Sequence, residues 1–414
     1  MAFGALKDLK IIDLTTRLSG PFGTMLFSDQ GAEVIKVEPP QMGDMARLVG
    51  PFLPNDEEKV YCGYFQSINR NKKSIILDLK TPEGKEVLLT LLKDADAIIE
   101  NFKQGTMEKL GLSYEYLQTI NPKLVYGALR GFGDSRTKAS PYANFPSYDV
   151  IAQAMGGLMG VSGPDAQTPV KAGPGLGDII PGMLLAFGVL SAIHHARNTG
   201  KGQFVDVAMA DAVLYASERI VYQHDITKQI PHTTGNMHPF LTPFGMFEAK
   251  DGHITIAAPD DKLFEKLCHA LEATHLLEEE KFANATSRRA NRTELEQALT
   301  TLTKQFTKQE LLDRLGGKVP YGPVMKMDEI KANPHFQARE MVVPVEVPAL
   351  ETTIDIAGVP IKMSDTPGKI NSRAPLHGEH TEEVLKAANI EESLIQKVIR
   401  KSFDFKSFFK KMGM

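Results

Sequence analysis

"KIIDLTTRLSGPFGTMLFSDQGAEVIKVE", residues 10–38, reads as strand, helix and strand in immediate succession. "KIIDL" (10–14) is a short β-branched run. Pro21 suits the first turn of a helix, where its missing N–H costs nothing, and Gly31 closes that helix before "AEVIKVE" (32–38) starts a second strand. The unit then repeats in kind. "SIILDL" (74–79) predicts a strand, Thr81-Pro82-Glu83 opens a helix running to about Asp94, and "AIIEN" (97–101) is the next strand. A helix around "YEYLQTIN" precedes "LVYGAL" (124–129). Apolar strands alternating with amphipathic helices imply a parallel sheet in an α/β fold.

Further along, a helix is expected from Asp178 to about Asn198, stopped by Gly200, and a second over "ADAVLYASERIVYQH" (210–224). The texture changes near 226. "GMFEAKDGHITIAAP" (245–259) predicts a β-hairpin with Asp251-Gly252 at its turn, and "DKLFEKLCHALE" and "NRTELEQALTTLTKQF" predict helices of a smaller domain. From about 330 the chain is Pro-punctuated and extended. Its basic-aromatic tail, "KSFDFKSFFKK", is expected to be a docked or frayed terminal helix rather than a partner-binding segment.

At 414 residues the chain exceeds a usual single core, so about two domains are expected. Hydrophobic residues make up 42% and charged residues 24%, ordinary for a globular protein with room for a cleft. A net charge of -4 without a strong basic face argues against nucleic acid as the main partner. Cys62 and Cys268 lie far apart and form no metal or redox motif, so a reducing cytoplasm is the simplest setting. The start "MAFGALKDLKIIDL" carries charges in its apolar stretch and shows no signal peptide; the apolar window Ile179 to Ile193 is too short and interrupted for a membrane span.

"KAGPGLGDIIPGMLLAFGVL" (171–190) is where chemistry concentrates. Gly173, Gly175 and Gly177 invite a dinucleotide-binding reading, but the sixth position is Asp178 and "TPVKA" is a poor strand, so that fingerprint fails. No P-loop and no G-x-S-x-G elbow appear. Adjacent His194 and His195 point about 100° apart on a helix, cannot chelate together, and are expected on its surface. Asp178 itself has two readings. As an N-cap it would stabilise the helix by about 1 kcal/mol. As a nucleophile it would be kept ionised by the helix dipole, and the glycines would leave space for a ligand, which a cap does not need. The residues alone leave both open.

Taken with the stretches already quoted, "NRNKKSIILDLKTPEGKEVLLTLLKDADAIIENFKQGTMEKLGL", "YDVIAQAMGGLMGVSG", "GLGD", "GKGQFVDVAMADAVL", "GNMHPF" and "PLHGEHTEEVL" occur in an order that resembles the class III CoA-transferase (CaiB/BaiF) family. That family includes formyl-CoA transferase, carnitine CoA-transferase and α-methylacyl-CoA racemase. The resemblance implies a Rossmann-like large domain (1–225 and 331–414), a small α+β domain (226–330) and an interlocked homodimer. It also implies that Asp178 is the catalytic aspartate, passing CoA from an acyl-CoA to a free carboxylic acid through aspartyl anhydride and aspartyl-CoA thioester intermediates. CoA enters as substrate; no metal and no tightly bound cofactor is expected, nor any membrane partner.

The family pattern places Leu18 and Ser19 near the pantetheine and Leu77 and Lys80 near the adenine end. Asn101, Phe102 and Lys109 match further CoA contacts, with Lys109 where formyl-CoA transferase has arginine. Arg47, Arg70, Lys72 and Lys73 are extra phosphate candidates, with solvated surface as the plainer alternative. Ser147-Tyr148-Asp149, counted among the CoA-binding candidates with a structural role for Tyr148 and Asp149 as the alternative, replaces the Gly-His-Asp of the racemases; a phenol of pKa about 10 is a poor proton shuttle, so transfer is preferred over racemisation. Gly177 is a candidate oxyanion donor and Gly235, Asn236 and His238 a candidate gate, with a plain β-turn as the alternative. The formyl enzyme's active-site glutamine and a CoA-site arginine align with Leu18 and Pro39, and its glycine-rich lid is replaced by "TTGNMHPFLTPFG". Formate and oxalate are therefore not expected, while longer dicarboxylic acids stay open. A CoA-binding protein without turnover and an NAD-dependent oxidoreductase are the alternatives from other classes.

Overall fold

The computed structural model describes residues 3–400 and 403–413. The chain divides into two compact units. One takes the chain up to Leu158, Ala172–Tyr222 and the chain from His335 onward; the other is Met159–Lys171 with Gln223–Pro334.

The first unit is built on six strands: β1 (Lys10–Asp13), β2 (Glu33–Glu38), β3 (Lys73–Ile76), β4 (Ala97–Glu100), β5 (Val125–Arg130) and β6 (Phe204–Ala208). Their order is β3-β2-β1-β4-β5-β6, with every pair parallel. This is the α/β sheet that the alternating pattern predicts. Successive side chains of a strand face opposite layers. Ile12, Ile35 and Ile98 pack into one layer with Leu88, Leu91, Leu117 and Leu385. Ile11, Val34 and Ile99 pack into the other with Phe27, Leu185, Val189 and Ile193. Both faces are covered, which is why these strands read as continuous apolar runs rather than alternating ones. β6 escaped prediction because it is an edge strand, mostly half-buried.

Three helices position the site: α1 (Ser19–Asp29), α2 (Asp149–Met155) and α3 (Leu176–Thr199). α1 follows β1 directly and carries Pro21 in its first turn. α1 and α3 approach at backbone level: a Cβ on Gly23 would stand 2.7 Å from the Gly182 carbonyl. Asp178 lies four residues before Gly182, on the same face of α3 and one turn nearer its start, so it is carried to the start of α1. At 24 residues, α3 is longer than the window judged from sequence; by length and composition it could cross a membrane. Here Leu185, Val189 and Ile193 instead pack it on the sheet.

The predicted helix over 210–224 is two helices, Met209–Ala216 and Arg219–Thr227. The terminal segment Phe405–Lys411 is helical and docked, with Phe405 and Phe409 buried and Phe409 edge-on to Phe52 at 5.0 Å; Lys401 and Ser402 of the quoted tail lie outside the described residues.

In the second unit β7 (Phe244–Ala249), β8 (Gly252–Ala257) and β9 (Tyr321–Pro323) form an antiparallel sheet. Ala249 pairs with Gly252, so the hairpin turns on Lys250-Asp251, one residue earlier than predicted. Phe264, Leu267, Leu295, Leu299 and Leu311 cover Phe247, Ile254 and Ile256. Met159–Lys171 joins this unit, where the Thr233 hydroxyl donates to the Gly163 carbonyl at 2.6 Å.

Candidate active site

The strand order reverses between β1 and β4, and ligands of doubly wound sheets bind outside the carboxyl ends of strands at such a point. The loops that leave β1 and β4 there are held to one another. Asn101 Oδ1 accepts the Thr16 N–H at 2.9 Å, and its Nδ2 donates to the Thr16 carbonyl at 2.8 Å and the Ser19 hydroxyl at 3.3 Å. Asp44 Oδ1 accepts the Thr16 hydroxyl (2.7 Å) and the Arg17 N–H (2.8 Å). A cavity of about 240 Å³ opens above these loops and is lined by Arg17, Ser19, Asn101, Phe102, Ser147, Tyr148 and Asp178, among others. A second, of about 280 Å³, is lined by Leu77, Lys80, Pro39 and Phe102. Thr16 and Phe102 line both.

The structure thus gathers Ser19, Leu77, Lys80, Asn101, Phe102, Ser147, Tyr148 and Asp178 into two cavities that share lining residues. Leu18 caps α1 and stands beside the Asp178 loop, since a Cβ on Gly175 would be 2.8 Å from Leu18 Cδ2. Lys109 is exposed at the end of Thr106–Lys109 and lines neither cavity. Gly235, Asn236 and His238 belong to the other unit. There the Thr234 hydroxyl donates to the Met237 carbonyl at 2.6 Å, and His238 stacks on Phe244 with ring centres 4.9 Å apart.

Asp178 is not the helix cap. α3 begins two residues earlier, with Gly175 at the cap position, and the Asp178 side chain makes no capping bond. Asp149, the first residue of α2, takes that role across the interface: its Oδ1 accepts the Gly177 N–H at 2.8 Å. Gln153, one turn further on, donates to the same oxygen at 2.8 Å and accepts the Ala172 N–H at 3.0 Å. Gly177 is required by this close approach, because a Cβ there would collide with the Asp149 carbonyl. The glycine at 177 therefore makes room for the protein's own backbone rather than for a ligand. Nor is its N–H open to an oxyanion, being already given to Asp149. The next two N–H groups of α3, those of Asp178 and Ile179, both donate to Gly175 O, at 3.0 and 2.8 Å.

The electrostatics also depart from expectation. Burial first, and the Asp149 charge second, push the Asp178 carboxyl up to about 7, with Arg17 pulling the other way. The helix dipole does not keep it fully ionised at neutral pH. Tyr64, in the helix Gly63–Asn69, is raised to about 12 by burial and then by the Asp178 and Asp44 charges.

All four extra phosphate candidates are paired, and three of them are buried. Arg47 is buried and grips Glu38 at 2.9 and 2.7 Å; Arg70 grips Asp29 at 3.0 and 2.7 Å. Lys72 is buried against Asp13 at 3.0 Å, while Lys73 pairs near the surface with Glu33 and Glu383. The charges of Arg47, Arg70 and Lys72 are spent inside the fold. Arg17, Tyr64 and Gln153 were not singled out from sequence. Arg17 had a usable signal, since it follows the first strand of a parallel sheet, where α/β sites form; Tyr64 had none.

A doubly wound sheet with a half-buried carboxylate in a cavity at its reversal point defines a ligand-handling α/β protein. The chain belongs to CoA-transferase family III, whose pattern it matches over residues 6–381, and it is an enzyme of that type. It is 46% identical over 387 residues to succinyl-CoA:mesaconate CoA-transferase of Haloarcula hispanica, covering 94% of this chain and 97% of that one. It is 38% identical over 388 residues to succinate–glutarate CoA-transferase of Agrobacterium fabrum, covering 92% and 94%. The crystal structure of a CaiB/BaiF family protein from Brucella suis superposes with a TM-score of 0.83 at 34% identity, over 93% of this chain and 100% of that one. The family and the α/β fold expected from the ordered motifs are thereby borne out.

Proposed function

We propose that this enzyme moves CoA from a dicarboxylic acyl-CoA to a free dicarboxylic acid, with Asp178 as the nucleophile. The observation that carries it is the carboxylate itself: half-buried, uncapped, and facing a cavity that adjoins a second one of CoA-binding composition by family pattern. The named activities of relatives with 46% and 38% identity support dicarboxylic acids at both ends.

Asp178 attacks the thioester carbonyl, the C–S bond breaks, and a mixed anhydride and CoA thiolate result. The thiolate attacks the aspartyl carbonyl of the anhydride, releasing the donor acid and leaving an aspartyl-CoA thioester. The acceptor carboxylate attacks that thioester, expels thiolate and forms a second anhydride. Thiolate then attacks the acceptor's carbonyl, giving the new acyl-CoA and restoring the Asp178 carboxylate. Each step conserves the acyl energy that water would waste. Desolvation raises the Asp178 pKa but also strips the anion of water, which favours attack. Asp149 and Gln153 hold the loop rather than react, and Asn101 holds Thr16 and Ser19 where CoA is to pass. Lys80 is exposed beside the second cavity and suits phosphate.

A homodimer is part of this proposal. α3 exposes Met183, Phe187 and Leu190, and Met209–Ala216 exposes Leu214 and Tyr215, an apolar surface that a second copy would cover. Two buried, unpaired cysteines suit a reducing cytoplasm.

The test is to mix enzyme with succinyl-CoA and hydroxylamine and read the modification at residue 178 by mass spectrometry, alongside a matrix of acceptor acids. An aspartyl hydroxamate at 178 with turnover to dicarboxylic acids is the expected result. Bound CoA with Asp178 unmodified would favour the non-catalytic binder.

A further inference from the structure

Arg17 stands in the wall of the Asp178 cavity and makes no ion pair among the described residues. Its neighbour in that wall, Arg130, is neutralised by Glu100 at 2.7 Å and Asp134 at 2.9 Å. Three features orient Arg17. Its guanidinium lies over the Tyr148 ring, 4.9 Å from the centroid. Its backbone adopts φ 72°, a left-handed conformation that a branched or long side chain rarely takes. That conformation is held by Asp44, which accepts the Arg17 N–H, and by Asn101, which brackets Thr16 on both sides. Non-glycine residues kept in this region by their surroundings concentrate at ligand sites.

The charge balance of the cavity asks for such a group. Asp178 lines the cavity as an acid, with the Asp149 charge nearby, and a dicarboxylic substrate adds a further carboxylate that does not react. Without a cation placed to receive it, the unreacting end would be repelled by Asp178. A planar guanidinium offers two parallel N–H bonds to a carboxylate. We propose that Arg17 receives the unreacting carboxylate of the substrate acyl group and so selects dicarboxylic over monocarboxylic acids. This rests on the reading of Asp178 as the acylated residue.

Succinyl-CoA and butyryl-CoA have the same chain length and differ in that carboxylate. Single-turnover acylation of Asp178, trapped with hydroxylamine, is measured with each for wild type, Arg17→Gln and Arg17→Lys. Arg17→Gln is expected to lose about 100-fold in kcat/KM with succinyl-CoA and less than about 3-fold with butyryl-CoA, with Arg17→Lys between. The ratio of the two thioesters is read on one protein sample, so partial misfolding cancels. Equal losses on both thioesters, a weaker inhibition by free CoA, or a succinyl-specific loss in a Lys103→Gln variant instead, Lys103 being an exposed lysine of the same cavity wall, would each overturn the assignment. A wild type that labels Asp178 with neither thioester would overturn the transferase reading as well; labelling with an unaltered preference in Arg17→Gln would overturn only the role of Arg17.

Discussion

Asp13 and Asp178 are two aspartates of the same unit in opposite surroundings. Asp13 ends β1 fully buried, yet the Lys72 and Lys36 charges and the Thr15 and Thr24 hydroxyls overcome burial and pull its carboxyl down to about 2. Asp178 is less buried, but burial and then the Asp149 charge are opposed only by Arg17, and it rises to about 7. The difference lies in what surrounds each group rather than in depth. Around Asp13 the protein has paired every charge, and the result is a rigid floor that also includes Lys36–Asp44 and Arg47–Glu38. Around Asp178 the only opposing charge near enough to pull its carboxyl down is Arg17, which forms no ion pair among the described residues. Unmatched charge in a cavity marks chemistry; matched charge in a core marks structure.

The two aspartates answer pH in opposite senses. Asp178, raised, contributes stability that is complete below its unfolded value of 3.8 and is lost as pH rises through about 7. Asp13, lowered, contributes stability present above 3.8 and lost as pH falls through about 2.

The largest effect that could break the comparison is at Asp178. Asp178→Asn is expected to lower CoA transfer by roughly 10⁴-fold or more, since the proposed nucleophile is gone. The same variant is expected to be more stable than wild type at pH 8 by on the order of 2 kcal/mol, and equal to it at pH 4, in urea unfolding. An equally stable variant at pH 8 would mean that the site carries no electrostatic strain. Next comes Asp13→Asn, which leaves Lys72 and Lys36 short of a counter-charge and should cost about 3–5 kcal/mol in the same measurement at pH 7. A cost below about 1 kcal/mol would show the floor to be ordinary surface pairing.

Two smaller changes sharpen the picture. Gly177→Ala puts a methyl against the Asp149 carbonyl and is expected to cost about 1–3 kcal/mol of stability, with a fall in kcat as α2 and α3 separate. Asp149→Asn keeps an oxygen to accept the Gly177 N–H but removes the charge facing Asp178. The acid limb of its kcat/KM–pH profile should move down by about one unit, the equivalent of about 1.4 kcal/mol. A limb that stays in place would leave burial alone responsible for the raised carboxyl.

The strand-helix-strand reading of residues 10–38 reached the sheet because hydrophobic period and turn residues are local: β1, α1 and β2 fall within a few residues of where they were expected. "GLGD" likewise singled out Asp178, and the ordered motifs named the family. Local sequence could not say that the cap of α3 comes from Asp149, 28 residues before Gly177, nor that Arg47 and Lys72 are spent inside the fold. Arg17 and Arg47 look alike as letters; one lines a cavity and forms no ion pair among the described residues, and the other is clamped on Glu38. Element type depends on neighbours along the chain, so the chain alone carries it. Protonation, capping and the fate of each charge depend on desolvation and on partners brought from distant positions, and these exist only once the chain has folded.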